Sequence, residues 1–241
     1  GSVFGASNQP VAYVNRKEAS DTLQRNKLAL LQKLDRREAD RVHQDDQIES
    51  AIANYELAYR MQDFVPRITN FDNETEETLK LYGMDLTTKG TATYARQLLL
   101  ARRLVQEGVR FIEVTCPSVG HDRWDQHGNL LNGHQQNADC VDIPIAGLIT
   151  DLDRLGLLKE TLIVCSGEFG RTPFAQGSNG RDHNPFGFTI WMCGGGTKGG
   201  TIFGATDEYG YKAVENKVMI HDLHATMLAM LGMDHEQLTF R

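Results

Sequence analysis

Two stretches of this chain repeat one arrangement: an amphipathic helix, a glycine that stops it, and a short apolar run. Residues 91–107 place Tyr94, Leu98, Ala101, Leu104 and Val105 on one helical face. Gly108 ends that helix, and Val109-Arg110-Phe111-Ile112-Glu113-Val114 reads as a strand. Residues 139–155 form the second helix, Gly156 closes it, and Thr161-Leu162-Ile163-Val164-Cys165 is a run of buried-strand type. A further strand over residues 188–192 and a last helix over 222–231 complete the pattern. Such alternation predicts an α/β fold, a mostly parallel sheet flanked by helices. Ligands of such sheets sit beyond the carboxyl ends of the strands. Two polar loops, residues 121–134 and 167–185, leave the chain at those ends.

The front of the chain reads differently. Residues 1–19 are polar and irregular, an expected arm. Residues 20–88 form a helical segment, with a loop expected near Pro66 and a short helix over 74–81 stopped near Gly83. Leu23, Leu30, Leu31 and Leu34 recur at helical spacing, as do Ile48, Ile52, Tyr55 and Ala58, predicting two long, half-exposed helices. The α/β domain then occupies 89–241. Net charge is −7, which argues against a general nucleic-acid binder, since that function needs a basic face. No stretch approaches the roughly 20 apolar residues that span a bilayer. Gly1-Ser2 without a leading Met reads as a tag remnant, so the lack of a signal segment leaves the compartment open. Cys116, Cys140, Cys165 and Cys193 are widely spaced with no CxxC, and the last two read as buried thiols.

The two polar loops concentrate the chemistry. The first contains Trp124-Asp125-Gln126-His127. In extended chain, residues two apart point the same way, so Asp125 and His127 can aim a carboxylate and an imidazole at one point. Such donors suit zinc, manganese or iron. The plainer alternative is a solvated loop. His121 and His134 are candidates for outer partners of the same site. The second loop carries Gly167-Glu168-Phe169-Gly170-Arg171-Thr172-Pro173 and Gly180-Arg181-Asp182-His183. Arg171 and Arg181 can grip a tetrahedral anion through paired donors, or pair with Glu168 and Asp182 in a salt-bridged loop.

Other features read as structure. The run Gly194-Gly195-Gly196-Thr197-Lys198 lacks the glycine before, and the hydroxyl after, the lysine of a phosphate loop, so a turn is expected. His221 and His224 share a helix face, but Asp222 is a plausible N-cap and the helix continues as core. No G-x-S-x-G elbow is present.

Taken in order, Trp124-Asp125-Gln126-His127, Asp151-Leu152, Gly156-Leu157-Leu158, Gly167 to Pro173, Gly180-Arg181-Asp182-His183 and Gly194-Gly195-Gly196 resemble the bacterial family catalogued as domain of unknown function 1501. Tyr55-Glu56-Leu57-Ala58 and Ala101-Arg102-Arg103-Leu104 fit it as well, so the likeness spans about residues 45–238. That family looks like a sulfatase-like branch of the alkaline-phosphatase superfamily. The resemblance implies a divalent metal held by Asp125, His127 and His183, with zinc first and manganese, iron or calcium as alternatives. It places Glu168 at a second-metal position or as a general base, with Arg171 or Arg181 on the substrate oxyanion. Phe169 stands where the superfamily has a metal-binding histidine. Nothing before residue 110 resembles the segment carrying the superfamily's nucleophile, and the C-x-P-x-R motif of sulfatases is absent.

The expected function is therefore metal-dependent hydrolysis of a small anionic ester, phosphate before sulfate and diesters included, by a metal-activated water or nucleophile. The rival expectation is a catalytically inactive scaffold that forms a homo-oligomer through its N-terminal helices. The resemblance also implies an exported protein. No nucleic-acid or membrane partner is expected.

Overall fold

The computed structural model describes residues 4–5, 11, 14–15, 18–41, 46–116 and 124–239. Most of the expected arm, the side chain of Ile48, and His121 lie outside the described residues. The chain divides into two compact units, Gly1–Glu74 and Thr75–Arg241.

The first unit is a helical hairpin of α1 (Asp21–Arg41) and α2 (Asp46–Thr69). Ser20 Oγ accepts from the Leu23 N–H at 3.2 Å and so starts α1. The helices run antiparallel, since Gln24 bonds Gln62 while Gln32 Nε2 donates to Glu56 Oε1 at 2.8 Å. Leu28, Leu31, Ile52, Tyr55 and Tyr59 line the groove between them. Pro66 does not end α2, as the sequence suggests. The helix runs one turn beyond it, and Thr69 Oγ1 donates back to Val65 O at 2.8 Å while Asn70 N–H bonds Pro66 O at 3.1 Å. Those bonds satisfy the last carbonyls that a broken helix would leave bare.

The second unit is built around α4 (Thr91–Gln106) packed along α5 (Leu130–Arg154), with α3 (Glu76–Leu81) beside α5. Ala95, Leu98, Leu99 and Leu104 of α4 and Cys140, Pro144, Leu148 and Leu152 of α5 are buried. Each buried leucine contributes roughly 1.5–3 kcal/mol. Within this core Asp151 is fully buried and meets three partners. Tyr82 Oη donates to it at 2.9 Å, Arg102 Nε lies 2.9 Å away, and Arg154 Nε lies 2.7 Å away. Arg154 also donates to Thr78 Oγ1 at 2.7 Å, tying α5 to α3.

α5 begins nine residues before the sequence suggests, at Leu130, so His134 lies on a helix. Gly128 and Gly133 mask that start. A tertiary bond, Leu130 N–H to Asn179 O at 3.1 Å, fastens the first turn where local propensity is weak.

The strands pair as three two-stranded antiparallel ladders: β1 (Leu162–Cys165) with β4 (Trp191–Gly194), β2 (Gly170–Gln176) with β3 (Gly180–Asn184), and β5 (Ala205–Thr206) with β6 (Ala213–Glu215). A parallel pair does not occur among the described residues, and Val109 to Val114 is assigned to no strand. A short apolar run fixes neither its partner nor its direction, which is why the sequence pattern points equally well to a parallel layer. β1 is half-buried throughout rather than fully buried, as a two-stranded ladder requires. Residues 167–185, expected as a loop, contain the β2–β3 hairpin. The last helix, α6 (Ile220–Met230), has Met219 rather than Asp222 as its N-cap, and Asp222 sits at its third position, accepting the Met219 N–H at 2.7 Å. Among the described residues no helix is long and apolar enough to cross a membrane.

Candidate metal centre

The site forms where the β2–β3 hairpin meets the loop that precedes α5. Three hydrogen bonds hold the two together: Arg181 N–H to Gln126 O at 3.0 Å, Leu130 N–H to Asn179 O at 3.1 Å, and Asn129 N–H to Asn179 Oδ1 at 3.1 Å. Gly180 makes the approach so close that a Cβ there would stand 1.9 Å from His127 O. Only a residue without a side chain fits.

This docking brings residues 56 to 58 apart in the chain into contact. Asp125 and His127 do not lie on an extended segment; the His127 N–H turns back to Asp125 O at 3.1 Å. The turn still places His127 Nε2 3.0 Å from Asp125 Oδ1. His183, paired with Arg171 across the hairpin, brings its Nε2 to 3.1 Å from the same oxygen and 3.2 Å from His127 Nε2. Among the described residues these three form the group of potential ligands whose donor atoms all lie within 4.8 Å of one another.

The donor set fits a divalent ion. Ligand atoms about 2.0–2.1 Å from a tetrahedral zinc are about 3.3–3.4 Å apart, and around an octahedral ion of similar bond length about 2.8–3.0 Å apart. The edges of 3.0, 3.1 and 3.2 Å fall at or between those values. Two imidazole nitrogens that face each other also need a proton or a cation between their lone pairs. The triad is open to solvent, with 39 to 46 % of each side chain exposed.

Arg171 supports the carboxylate. Its Nη1 donates to Asp125 Oδ1 at 2.6 Å, and this bond holds the Asp125 carboxyl below its ordinary range against the opposing effect of burial, with the His183 contact adding to it. The Arg171 guanidinium also lies 5.5 Å from the centre of the Phe169 ring, and its Nη2 is 3.9 Å from Glu168 Oε1. Phe169 in turn packs on the His183 ring at 4.2 Å. Phe169 thus serves as a wall for the His183 ring.

The remaining candidates are not members of the triad. Glu168 is largely exposed and is not a member of the three-residue group. Arg181 donates to the neighbouring Gly180 O at 2.8 Å. His134 bonds Gln126 Oε1 through Nδ1 at 2.7 Å and meets the Trp124 ring edge-on at 5.1 Å, and burial followed by the charge of Arg171 lowers its pKa. His221 and His224 on α6 are likewise outside the group. Two contacts were invisible in the sequence: Asn179, which fastens the loop, and Gln176, whose Oε1 meets His127 Nδ1. Neither belongs to a spacing that marks ligand chemistry; only the folded hairpin reveals them.

Comparison with curated proteins and with solved structures finds no match. The chain belongs to the family described as Protein of unknown function (DUF1501), whose model matches residues 1–241.

Proposed function

We propose that this protein is a metal-dependent hydrolase of phosphate esters, diesters included, of the sulfatase-like alkaline-phosphatase type. The observation that carries the reading is the convergence of Asp125, His127 and His183 on one small triangle open to solvent. A divalent ion held there, zinc first, supplies a Lewis acid and lowers the pKa of water to about 7.

The chain's own groups then have separable tasks. His127 and His183 give neutral nitrogen donors, and Asp125 offsets the charge of the ion. Arg171 keeps that carboxylate ionised and oriented through the 2.6 Å bond. Its remaining N–H groups, with those of Arg181, are the donors available to a substrate oxyanion. Glu168 is the exposed carboxylate on the Arg171 side of the triad, and takes a proton or binds a second ion. Phosphate is preferred to sulfate because the sulfatase C-x-P-x-R motif is missing.

Purified protein is tested by elemental analysis and by turnover of aryl phosphate mono- and diesters. Bound metal, and turnover lost in the His127→Ala/His183→Ala double variant, are the expected results. Undiminished turnover in that variant would sink the proposal.

A second reading, an inactive scaffold that self-associates through α1, draws on one observation. Leu23, Leu30 and Leu34 are 52, 58 and 50 % exposed along that helix. Light scattering of wild type and of a Leu30→Glu/Leu34→Glu variant, beside the turnover assay, separates the two. An oligomer that the variant dissolves, with no turnover under any metal, favours the scaffold.

A further inference from the structure

His127 is held at both ring nitrogens. Nε2 faces Asp125 and His183 at 3.0 and 3.2 Å, and Nδ1 meets Gln176 Oε1. A neutral imidazole carries one proton, so whichever nitrogen is protonated, the other alone has a lone pair to give. An amide oxygen can only accept. Placed against Nδ1, it accepts the proton of the form that keeps the free pair on Nε2, the form a cation shared with Asp125 and His183 requires; without a cation the Asp125 carboxylate, 3.0 Å from Nε2, draws the proton to that side instead.

We infer that Gln176 is a positioning residue: it holds the ring angle of His127 and accepts the Nδ1 proton of the tautomer whose Nε2 is free to bind a metal. The inference rests on the metal-binding reading above and gives it an outer contact. Carboxylate or carbonyl partners of this kind raise the basicity of metal-bound histidines, and their loss typically costs 10- to 100-fold in metal affinity.

The fold explains how a residue five places from Arg171 reaches the same site. In a regular strand those two side chains would point to opposite faces. Here the register slips between Arg171 and Ala175: β2 takes four steps from the pair Arg171–His183 to the pair Ala175–Arg181, while β3 takes two. Irregularities of this kind bend a strand and re-aim its side chains. Gln176 then pairs with Gly180, the residue whose bare backbone touches His127 O. The tip of the hairpin thus closes on His127 twice, with the Gly180 backbone against its carbonyl and the Gln176 amide against its ring.

His183 provides an internal contrast. Among the described residues its Nδ1 makes no hydrogen bond, and its ring is oriented by packing on Phe169. Gln176 therefore touches one of the two histidines directly.

The test uses the full chain, with zinc ion alone as the probe. Zinc affinity is measured by competition with a chromophoric chelator for wild type, Gln176→Leu and Gln176→Glu. The His127 ring is followed by long-range proton–nitrogen NMR in zinc-loaded protein, where a hydrogen-bonded Nδ1 proton reports the contact with Gln176. Gln176→Leu should bind zinc about 10- to 100-fold more weakly and lose the hydrogen-bonded signature of the His127 Nδ1 proton. Gln176→Glu, which still offers an acceptor, should recover both. Equal zinc affinity for Gln176→Leu and wild type, or a wild-type Nδ1 proton that exchanges as freely as in Gln176→Leu, overturns the inference. If wild type holds no zinc at all, the metal reading fails and the inference with it, whereas zinc held equally by wild type and Gln176→Leu sinks the inference alone.

Discussion

Replacing Gly180 with alanine adds one methyl group, yet the structure assigns it a large effect. The new Cβ would stand 1.9 Å from His127 O, 2.2 Å from His127 C and 2.7 Å from Gly128 N, all backbone atoms that cannot rotate aside. Normal carbon–oxygen contact needs a separation more than 1 Å greater, so the hairpin must retreat from the loop or strain in place. Strain of this overpacked kind costs about 1–3 kcal/mol. Retreat instead breaks the three bonds from Arg181, Leu130 and Asn129. At about 0.5–1.5 kcal/mol each, their loss costs about 2–4 kcal/mol. Retreat also carries His183 away, because it lies three residues along β3 from the clash. A displacement of 1 Å opens the triangle edges from 3.1 and 3.2 Å to beyond the span of one ion, leaving two donors instead of three. Thermal unfolding and zinc titration of Gly180→Ala should show both losses, with zinc affinity down at least 100-fold. Gly199→Ala is the control, since nothing lies within 4 Å of a Cβ there. If Gly180→Ala melts and binds zinc like wild type, the hairpin does not build the site as described.

Other expectations follow from the buried groups and from Arg171. Asp151→Ala leaves the Arg102 side chain, 7 % exposed, without its counter-charge, and should cost about 3–5 kcal/mol in chemical denaturation. Zinc affinity of the folded fraction should be unchanged, because that network lies in the α3–α4–α5 core rather than at the triad. Burial pushes the Tyr94 hydroxyl from 10.0 up to about 12, and burial followed by the charge of Asp151 pushes Tyr82 higher still. The folded state therefore keeps protons that the unfolded chain releases, so each such tyrosine lowers stability as pH rises from 10 toward 12, by roughly 1.4 kcal/mol per pH unit, and the Cys140 thiol, pushed by burial from 9.0 up to about 11, starts the decline near pH 9. Unfolding curves that stay level across that window would contradict the burial of both rings. Arg171→Gln should raise the carboxyl pKa of Asp125 toward its ordinary range in metal-free protein, read by carbon NMR of the side chain.

The helices were legible because their signals are local. α4 and α3 start and stop within two residues of where apolar spacing, Gly108 and Gly83 place them. The start of α5 was not, since Leu130 is fixed by Asn179, 49 residues away in the chain. Strand pairing was less legible for the same reason: Leu162–Cys165 is apolar enough for any sheet, and only its ladder with Trp191–Gly194 gives it a direction. At the site, ligand chemistry singled out Asp125 and His127, the family resemblance added His183, and the hairpin brings those three together. The amide of Gln176 and the bare backbone of Gly180 carry no chemical signature in one dimension. Both act through shape and docking, which spacing does not encode.

X-ray absorption on zinc-loaded protein tests the central claim most directly. A shell of two imidazole nitrogens and a carboxylate oxygen at about 2.0–2.2 Å, at one zinc per chain and reduced by one imidazole in His183→Ala, is the predicted result. Zinc that washes out during desalting, or a shell of oxygens alone that His183→Ala leaves unchanged, would contradict it.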